Sequence, residues 1–318
     1  MPLGLFGSTS KPQPLTSIDS GGYKERKEAL EKDGRGTVLR LENTTVTIEK
    51  KLAEGISVFS GGFAIVYLVS DKQNRHYALK RQFINDDNKQ VEACRRESQI
   101  VSSLKGHKNI VSYVDHLLAK NKSGIYDYML LTAYYRTSVL QLMNDRLSVG
   151  QSLRSSEVLS IFCDMCEAVA RLHHSVTPII HRDLKVENIL VDERNRAGPP
   201  IYVLCDFGSA TTKVCRIVTP SSFSSPLPLF VLSSNNYSVS FIQDEIEKYT
   251  TLSYRSPEMV DLYCGKPIGT KSDTWAMGVM LYKLCYFCLP FGESAMAIQN
   301  GAFSFPNEPH HPDSLKTV

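Results

Sequence analysis

The chain lacks any strong excess of charge and any long apolar run. Its 36 basic and 33 acidic residues leave a formal net charge of only +3, so no overall field favours nucleic acid or an anionic membrane as a partner. No N-terminal segment combines a basic start with a continuous apolar stretch, and Pro2 stands where N-myristoylation requires glycine. These absences predict a cytoplasmic protein with no transmembrane segment and no nucleic-acid partner.

The eight cysteines are scattered along the chain, and in a reducing compartment we expect free thiols. Two pairs have Cys-x-x-Cys spacing, Cys163 with Cys166 and Cys285 with Cys288, a spacing that zinc ligands also use. Each pair lies in an apolar helical pattern without a tight turn. The sequence therefore favours small buried hydrophobic side chains over a zinc site.

Composition changes along the chain divide it into four parts. Residues 1–40 are rich in Ser, Pro, Gly and Lys and predict a disordered or loosely attached arm. Residues 41–133 alternate strand-like runs with polar turns and carry one helical pattern, residues 134–305 are mostly helical, and 306–318 form an irregular tail. The predicted strands are Val46–Leu52, Phe63–Val69, His76–Gln82, Ile110–Leu117 and Tyr126–Ala133, and the predicted helices are Gln90–Leu104, Val139–Leu147 and Ser156–His174.

Two polar motifs stand close together inside apolar flanks. The first reads His-Arg-Asp-Leu-Lys-Val-Glu-Asn over residues 181–188, and the second reads Asp-Phe-Gly over residues 206–208. A polar loop between two strands is the simpler alternative, but it does not require several polar residues at fixed offsets. The order and spacing of the two motifs resemble the signature of protein kinases.

This resemblance implies a catalytic role for each polar position. Asp183 would receive the proton of the substrate hydroxyl, while Asn188 and Asp206 would hold magnesium against the phosphates of ATP. Lys185, two residues beyond Asp183, is typical of kinases that act on Ser and Thr and would support the transferred phosphoryl group. Thr251 fits the same branch.

The resemblance extends to the nucleotide site in the strand-rich region. Lys80 closes a Tyr-Ala-Leu-Lys strand and would pair with the ATP phosphates, and Glu97 on the following helix would hold its ammonium group. Thr132 stands at the gatekeeper position, before a hinge at residues 133–135. The further nucleotide-binding residues that the resemblance implies are Ala53, Gly55, Gly62, Val66, Ala78, Ala133 and Tyr135.

Further segments are similar to the numb-associated kinase family, and within it to adaptor-associated kinases. They are Leu52–Gly55, Gly62–Val66, Gly106–Val111 and Ile242–Thr251. The similarity implies an α+β, bilobal kinase fold, with an antiparallel sheet and one helix in the N-lobe and a mostly helical C-lobe. It also implies ATP and magnesium as cofactors, clathrin-adaptor subunits as substrates, peripheral association with endocytic membranes, and a monomer.

The chain departs from this family at three places. Residues 56–61 interrupt the glycine loop and residues 215–237 lengthen the activation segment. The C-lobe is expected to be incomplete after residue 305, which would deprive Glu258 of its usual arginine and leave it exposed or protonated. It would also leave the apolar face of Asp273–Cys288 partly uncovered. A kinase-like binding scaffold with impaired catalysis is therefore the alternative to an active kinase.

Overall fold

The computed structural model describes residues 34–57, 62–122, 124–194, 198–215, 239–309, 311–312 and 315. Its N-terminal half is one antiparallel sheet with strand order β1-β2-β3-β4-β6-β5. Helix α1 (Asn88–Ser103) connects β4 to β5. The strands are β1 (Val38–Arg40), β2 (Thr45–Ser57), β3 (Gly62–Ser70), β4 (His76–Ile84), β5 (Tyr113–Lys120) and β6 (Tyr126–Ala133).

The sheet forms because alternate side chains of its central strands are apolar. Ile65, Val69, Leu79 and Leu131 are fully buried and pack on one another across β3, β4 and β6. Burial of side chains this large contributes roughly 1.5–3 kcal/mol each. This packing fixes the register of the strands and thereby positions the side chains that alternate with the buried ones and lie on the other face of the sheet.

The predicted interruption of the glycine loop lengthens a hairpin. β2 and β3 remain paired from Thr47 opposite Ser70 to Ser57 opposite Gly62, so Ile56 and Ser57 extend β2. The continued ladder gives these added backbone groups hydrogen-bond partners. The rest of the predicted insert, residues 58–61, lies outside the described residues.

The C-terminal half is mostly helical, with a small antiparallel sheet of order β7-β8-β9. Its main core packs the buried face of α3 against β9 and against α6. The elements are β7 (Thr137–Ser138), α2 (Val139–Ser148), α3 (Ser155–His173), β8 (Ile189–Asp192), β9 (Ile201–Leu204), α4 (Val239–Tyr249), α5 (Pro257–Val260), α6 (Thr270–Tyr286) and α7 (Ala295–Asn300). Single 3-10 turns lie at Val186–Asn188 and Leu252–Tyr254.

The predicted α+β kinase architecture is confirmed, and the differences lie at its margins. Val38–Arg40 belongs to the sheet, so the last residues of the predicted arm are ordered by pairing with β2; residues 1–33 lie outside the described part. The predicted irregular tail packs into the C-lobe where it is described. His311 and Leu315 are buried there, and His311 Nε2 lies 3.0 Å from the carbonyl oxygen of Cys285.

The prediction of buried cysteine pairs is wrong for three of the four residues. Cys163, Cys166 and Cys288 are exposed, and only Cys285 is buried. An apolar helical pattern does not fix which of its weaker members face the core, and the two cysteines of α3 lie between the positions of its buried stripe. That stripe consists of Val158, Ile161, Met165, Ala168, Val169 and Leu172.

Aromatic side chains that follow α6 lie over much of its apolar face. Phe291 stacks on Trp275 with ring centroids 5.3 Å apart, and Phe303 meets Tyr282 edge to face at 6.0 Å. Trp275 and Tyr282 stay half-buried, in keeping with the expectation of a partly uncovered face. Glu258 is half-buried, which corrects the predicted exposure of this side chain. None of the described helices has the length and apolar character needed to cross a membrane.

Candidate active site

The backbone of the catalytic loop is anchored by a buried carboxylate on α6. Asp273 Oδ2 accepts a hydrogen bond from the His181 amide at 2.8 Å, and its Oδ1 accepts one from the Arg182 amide at 2.9 Å. His173 Nε2 lies 2.9 Å from Oδ2. Because the Asp273 side chain is only 1% exposed, these contacts fix the loop from inside.

The loop presents a compact cluster of Asp183, Lys185 and Thr251. Lys185 Nζ lies 2.8 Å from Asp183 Oδ2 and donates to the Thr251 hydroxyl at 3.1 Å. The same hydroxyl donates to Asp183 Oδ1 at 2.6 Å. A Thr hydroxyl therefore already occupies one oxygen of the carboxylate in hydrogen-bond geometry.

Asn188 is joined to this carboxylate on one side and to the second motif on the other. Its Nδ2 donates to the carbonyl oxygen of Asp183 at 2.8 Å and approaches Asp183 Oδ2 at 3.3 Å. Its own carbonyl oxygen accepts from the Cys205 amide at 2.9 Å, which extends the pairing of β8 with β9. Asp206, the next residue, is thereby brought beside Asn188, and it adopts a left-handed backbone with φ of 57°. Such a conformation is uncommon outside glycine and is concentrated at functional sites.

Charged groups of the two lobes meet at Lys80. Its Nζ lies 2.7 Å from Glu97 Oε1 on α1 and 3.3 Å from Asp206 Oδ1. Burial opposes the charge on Lys80, but the charges of Asp206 and Glu97 hold its pKa above the ordinary value. Burial likewise opposes ionisation of Asp206, and Lys80 together with His181 lowers the pKa of this carboxyl below its ordinary value. The ammonium and the Asp206 carboxylate are therefore both charged at neutral pH.

Gly208 permits this close approach. A Cβ atom at this position would lie 3.3 Å from both Asp206 Oδ1 and Lys80 Nζ, which is tighter than most carbon contacts in proteins. A side chain at position 208 would crowd the ion pair of Lys80 with Asp206. The absence of a side chain leaves room for the charged ends to meet.

A cleft of about 430 Å³ opens in front of these charges. Its walls are mainly apolar, with Lys80, Glu97 and Asp206 gathered at one end, and Cys205 lies behind them. Burial raises the pKa of the Cys205 thiol, so this cysteine is not an activated thiolate. The predicted nucleotide-binding residues that line the cleft are Ala53, Val66, Ala78, Lys80, Thr132, Ala133 and Tyr135.

The predicted site residues Asp183, Lys185 and Asn188 do not line the cleft. Asp183 and Asn188 are buried beneath its charged end and connect to it through the contacts above. The backbones of Gly55 and Gly62 lie on the extended hairpin, where Gly55 pairs with Ala64. The insert therefore separates Gly62 from Gly55, which would be consecutive residues in an uninterrupted loop.

The residues present fit a nucleotide with a divalent cation. Asn188 uses its amide nitrogen on Asp183, which leaves its amide oxygen as a ligand atom, and the Asp206 side chain is 39% exposed toward the cleft. Oxygen ligands of this kind suit magnesium. An apolar cleft with a few convergent polar groups suits a flat heterocycle carrying phosphates.

Sequence reasoning missed the partners that hold this site from behind. The Nε2 atom of His173 on α3 lies 2.9 Å from Asp273 Oδ2. The Arg182 side chain is only 7% exposed and donates a hydrogen bond to Glu245, 63 residues further along the chain. In the sequence, the Ile242–Thr251 segment stands out only for its similarity to other kinases. Its helical spacing is the signal that could have predicted a helix carrying Glu245.

Comparison with known proteins gives concordant results. The sequence model of the protein kinase domain matches residues 57–310. The chain is similar to the serine/threonine-protein kinase sel-5 of Caenorhabditis elegans, with 49% identity over 320 residues, which cover 100% of this chain and 27% of that protein. It is also similar to the serine/threonine-protein kinase ppk30 of Schizosaccharomyces pombe, with 34% identity over 94% of this chain and 29% of that protein.

A yeast relative broadens the comparison. Actin-regulating kinase 1 of Saccharomyces cerevisiae is 36% identical over 290 residues, which cover 88% of this chain and 41% of the relative. The chain thus spans between about a quarter and two fifths of the length of these curated relatives.

Proposed function

The chain belongs to the protein kinase family, and from this premise we propose that it transfers the γ-phosphoryl group of ATP to Ser and Thr hydroxyls of protein substrates. One observation carries the proposal. Lys80 and Asp206 form an ion pair at the charged end of a single cleft. Asp183 and Asn188, from one loop, lie beneath that end, where they are hydrogen-bonded to each other and joined to the Asp206 segment through the Cys205 amide. Phosphoryl transfer depends mainly on positioning and on electrostatic stabilisation, and this cluster supplies both.

Each residue of the cluster has a distinct task in this proposal. Lys80, held by Glu97, orients the phosphates, and Asn188 and Asp206 are the side chains that would hold magnesium. Magnesium, when bound, neutralises charge on the phosphates. Asp183 receives the proton of the attacking hydroxyl, and Lys185 stabilises charge on the transferred group.

The contact between Thr251 and Asp183 supports the assignment of the base. A general base must lie within about 2.6–3.2 Å of the hydroxyl whose proton it takes, and the Thr251 hydroxyl lies 2.6 Å from Asp183 Oδ1. A substrate Ser or Thr hydroxyl can occupy the same position by replacing Thr251.

We further propose that the substrates are clathrin-adaptor subunits and that the protein acts as a cytoplasmic monomer, associating peripherally with endocytic membranes. The support is the similarity of residues 52–55, 62–66, 106–111 and 242–251 to numb-associated kinases. Phosphorylation of purified adaptor subunits, compared with a generic Ser/Thr substrate at equal concentration, tests the substrate class. A rate constant no higher for the adaptor would contradict it.

Asp183→Ala tests the catalytic proposal. We expect transfer of labelled phosphate from ATP to a generic Ser/Thr substrate to vanish in this variant and to persist in Asp145→Asn, which alters an exposed carboxylate on α2. Equal rates in wild type and Asp183→Ala would refute the assignment. An inactive wild type that still binds ATP would favour the binding scaffold, for which the lengthened glycine hairpin is the motivating observation.

A further inference from the structure

The two edges of the N-lobe sheet are joined through the chain that follows β1. The sheet has β1 at one edge and β5 at the other. The Glu42 amide donates to the His116 carbonyl oxygen on β5 at 3.3 Å, and the Asn43 amide donates to Asp115 Oδ2 at 2.8 Å. The accumulated twist of a sheet curls its edges toward each other in this way. Glu42, Asp115 and His116 meet at this junction, and we call these three residues the edge site.

The edge site offers one imidazole nitrogen and two carboxylates to a single point. Its potential ligand atoms all lie within 4.8 Å of one another, and His116 Nε2 lies 3.8 Å from Glu42 Oε1. Two ligand atoms of a tetrahedral zinc ion, each about 2.0–2.1 Å from the metal, lie about 3.3 Å apart. The Glu42 side chain is 50% exposed, so its carboxylate can rotate toward the other two ligands.

Asp115 is a buried carboxylate whose contacts among the described residues include no cation. The residue is only 1% exposed. Its oxygens accept N–H groups of Asn43 and of His116, and neither lysine nor arginine is among the donors. Buried charges in proteins are paired or coordinate metals. Because an ionised carboxylate oxygen has about two acceptor positions and Oδ2 accepts only the Asn43 amide, this oxygen keeps a position for a metal ion.

The ring of His116 is oriented by Tyr113, which lies outside the edge site. The Tyr113 hydroxyl lies 2.8 Å from His116 Nδ1. Residues three apart on a regular strand point to opposite faces, but the pairing of β5 with β6 shifts register between Tyr113 and Asp115, and such a bulge re-aims side chains. When Nδ1 carries the proton and donates it to the hydroxyl oxygen, Nε2 presents its lone pair. Metal-binding histidines are typically held through their second nitrogen in this way.

We propose that Glu42, Asp115 and His116 bind one zinc ion, with water in the fourth position, and that this ion fastens the chain after β1 to β5. Imidazole nitrogen together with carboxylate oxygen suits zinc, whereas magnesium and calcium prefer oxygen ligands alone. In the described structure none of the three residues lines the nucleotide cleft. The site is therefore separate from the proposed magnesium site and does not depend on the proposed function. Its role is to stabilise the N-lobe.

Calorimetric titration of the metal-free protein with zinc chloride, in buffer containing excess magnesium, tests the site. Wild type is compared with His116→Gln, Glu42→Gln and the control His76→Gln, which alters an exposed histidine of the same sheet. The side chains of His116 and Glu42 are 29% and 50% exposed, so both substitutions should leave the fold intact. We expect wild type and His76→Gln to bind one zinc ion with equal affinity. The affinity should fall at least about tenfold in His116→Gln and in Glu42→Gln, since loss of even an outer partner of a ligand has that effect.

X-ray absorption at the zinc edge, on protein loaded with one equivalent, separates this site from the exposed cysteines. Nitrogen and oxygen ligands at about 2.0–2.1 Å, without sulfur at about 2.3 Å, support the edge site. Free zinc at about 100 times its dissociation constant should also raise the melting temperature by about 5 °C in wild type and in His76→Gln, and not in His116→Gln. Sulfur ligands, equal zinc affinity in wild type and His116→Gln, or a wild type that binds no zinc overturns the proposal.

Discussion

Replacement of Asp273 by Asn perturbs the anchor of the catalytic loop with little change in shape. The wild-type carboxylate accepts the amides of His181 and Arg182 and contacts His173, all from a nearly fully buried position. An asparagine retains one acceptor oxygen. If this oxygen takes the place of Oδ2 and keeps its contacts with the His181 amide and with His173, the new NH₂ group takes the place of Oδ1. It then faces the Arg182 amide, which is also a donor.

The magnitude follows from those contacts. A hydrogen bond to a charged group contributes about 1.5–3 kcal/mol, and a buried donor left without a partner costs about 1–3 kcal/mol. We therefore expect Asp273→Asn to lower the free energy of unfolding by about 2–4 kcal/mol. We also expect a lower kcat, because the amides of residues 181 and 182 immediately precede Asp183.

Urea unfolding followed by circular dichroism measures the first effect, with the slope of the transition compared between variants. Asp145→Asn is the matched control, since an exposed substitution of the same chemistry should change stability by no more than about 0.5 kcal/mol. An Asp273→Asn protein as stable and as active as that control would refute the argument. The loop would then be held by contacts other than this carboxylate.

Two further predictions concern single carboxylates of the N-lobe. Glu97→Gln should raise the KM for ATP and lower kcat, since Lys80 would keep only Asp206 as a charged partner. Steady-state kinetics should show this effect in Glu97→Gln and not in the control Glu92→Gln, which alters an exposed carboxylate of the same helix. Equal kcat and KM in the two variants would contradict the prediction. Burial opposes ionisation of Asp71, but hydrogen bonds from Arg75, Gln73 and Tyr77 lower its pKa to about 2. Because its folded pKa lies below the unfolded one, its stabilisation is fully present above about pH 4 and is lost as the pH falls toward 2. The difference in melting temperature between wild type and Asp71→Asn should therefore shrink between pH 5 and pH 2; a constant difference would disprove the linkage.

The strands and helices of both lobes could be predicted because their apolar spacing is local. Tyr126–Ala133 is a strand with the predicted limits, and the catalytic motifs carry their own fixed offsets. The same motifs predicted which charged residues gather at the cleft. Lys80 and Glu97 form the ion pair that the resemblance implied.

Long-range contacts and the faces of helices could not be predicted in this way. The pair of Arg182 with Glu245 joins segments 63 residues apart, and nothing in either segment alone specifies the other. The exposed thiols of Cys163 and Cys166 show the same limit at short range, since helical spacing does not decide where the edge of a buried stripe lies. Residues 56–61 were predicted to interrupt the glycine loop, whereas Ile56 and Ser57 pair with Phe63 and Gly62 and extend the strands.

Magnesium-dependent binding of ATP tests most directly whether Lys80, Asp183, Asn188 and Asp206 form one site. Calorimetric titration of the protein with ATP, with and without magnesium, should give tighter binding with the metal in wild type. The gain should be lost in Asp206→Asn and retained in Asp145→Asn. The account would be contradicted by wild type that binds no ATP, or by an equal magnesium effect in Asp206→Asn.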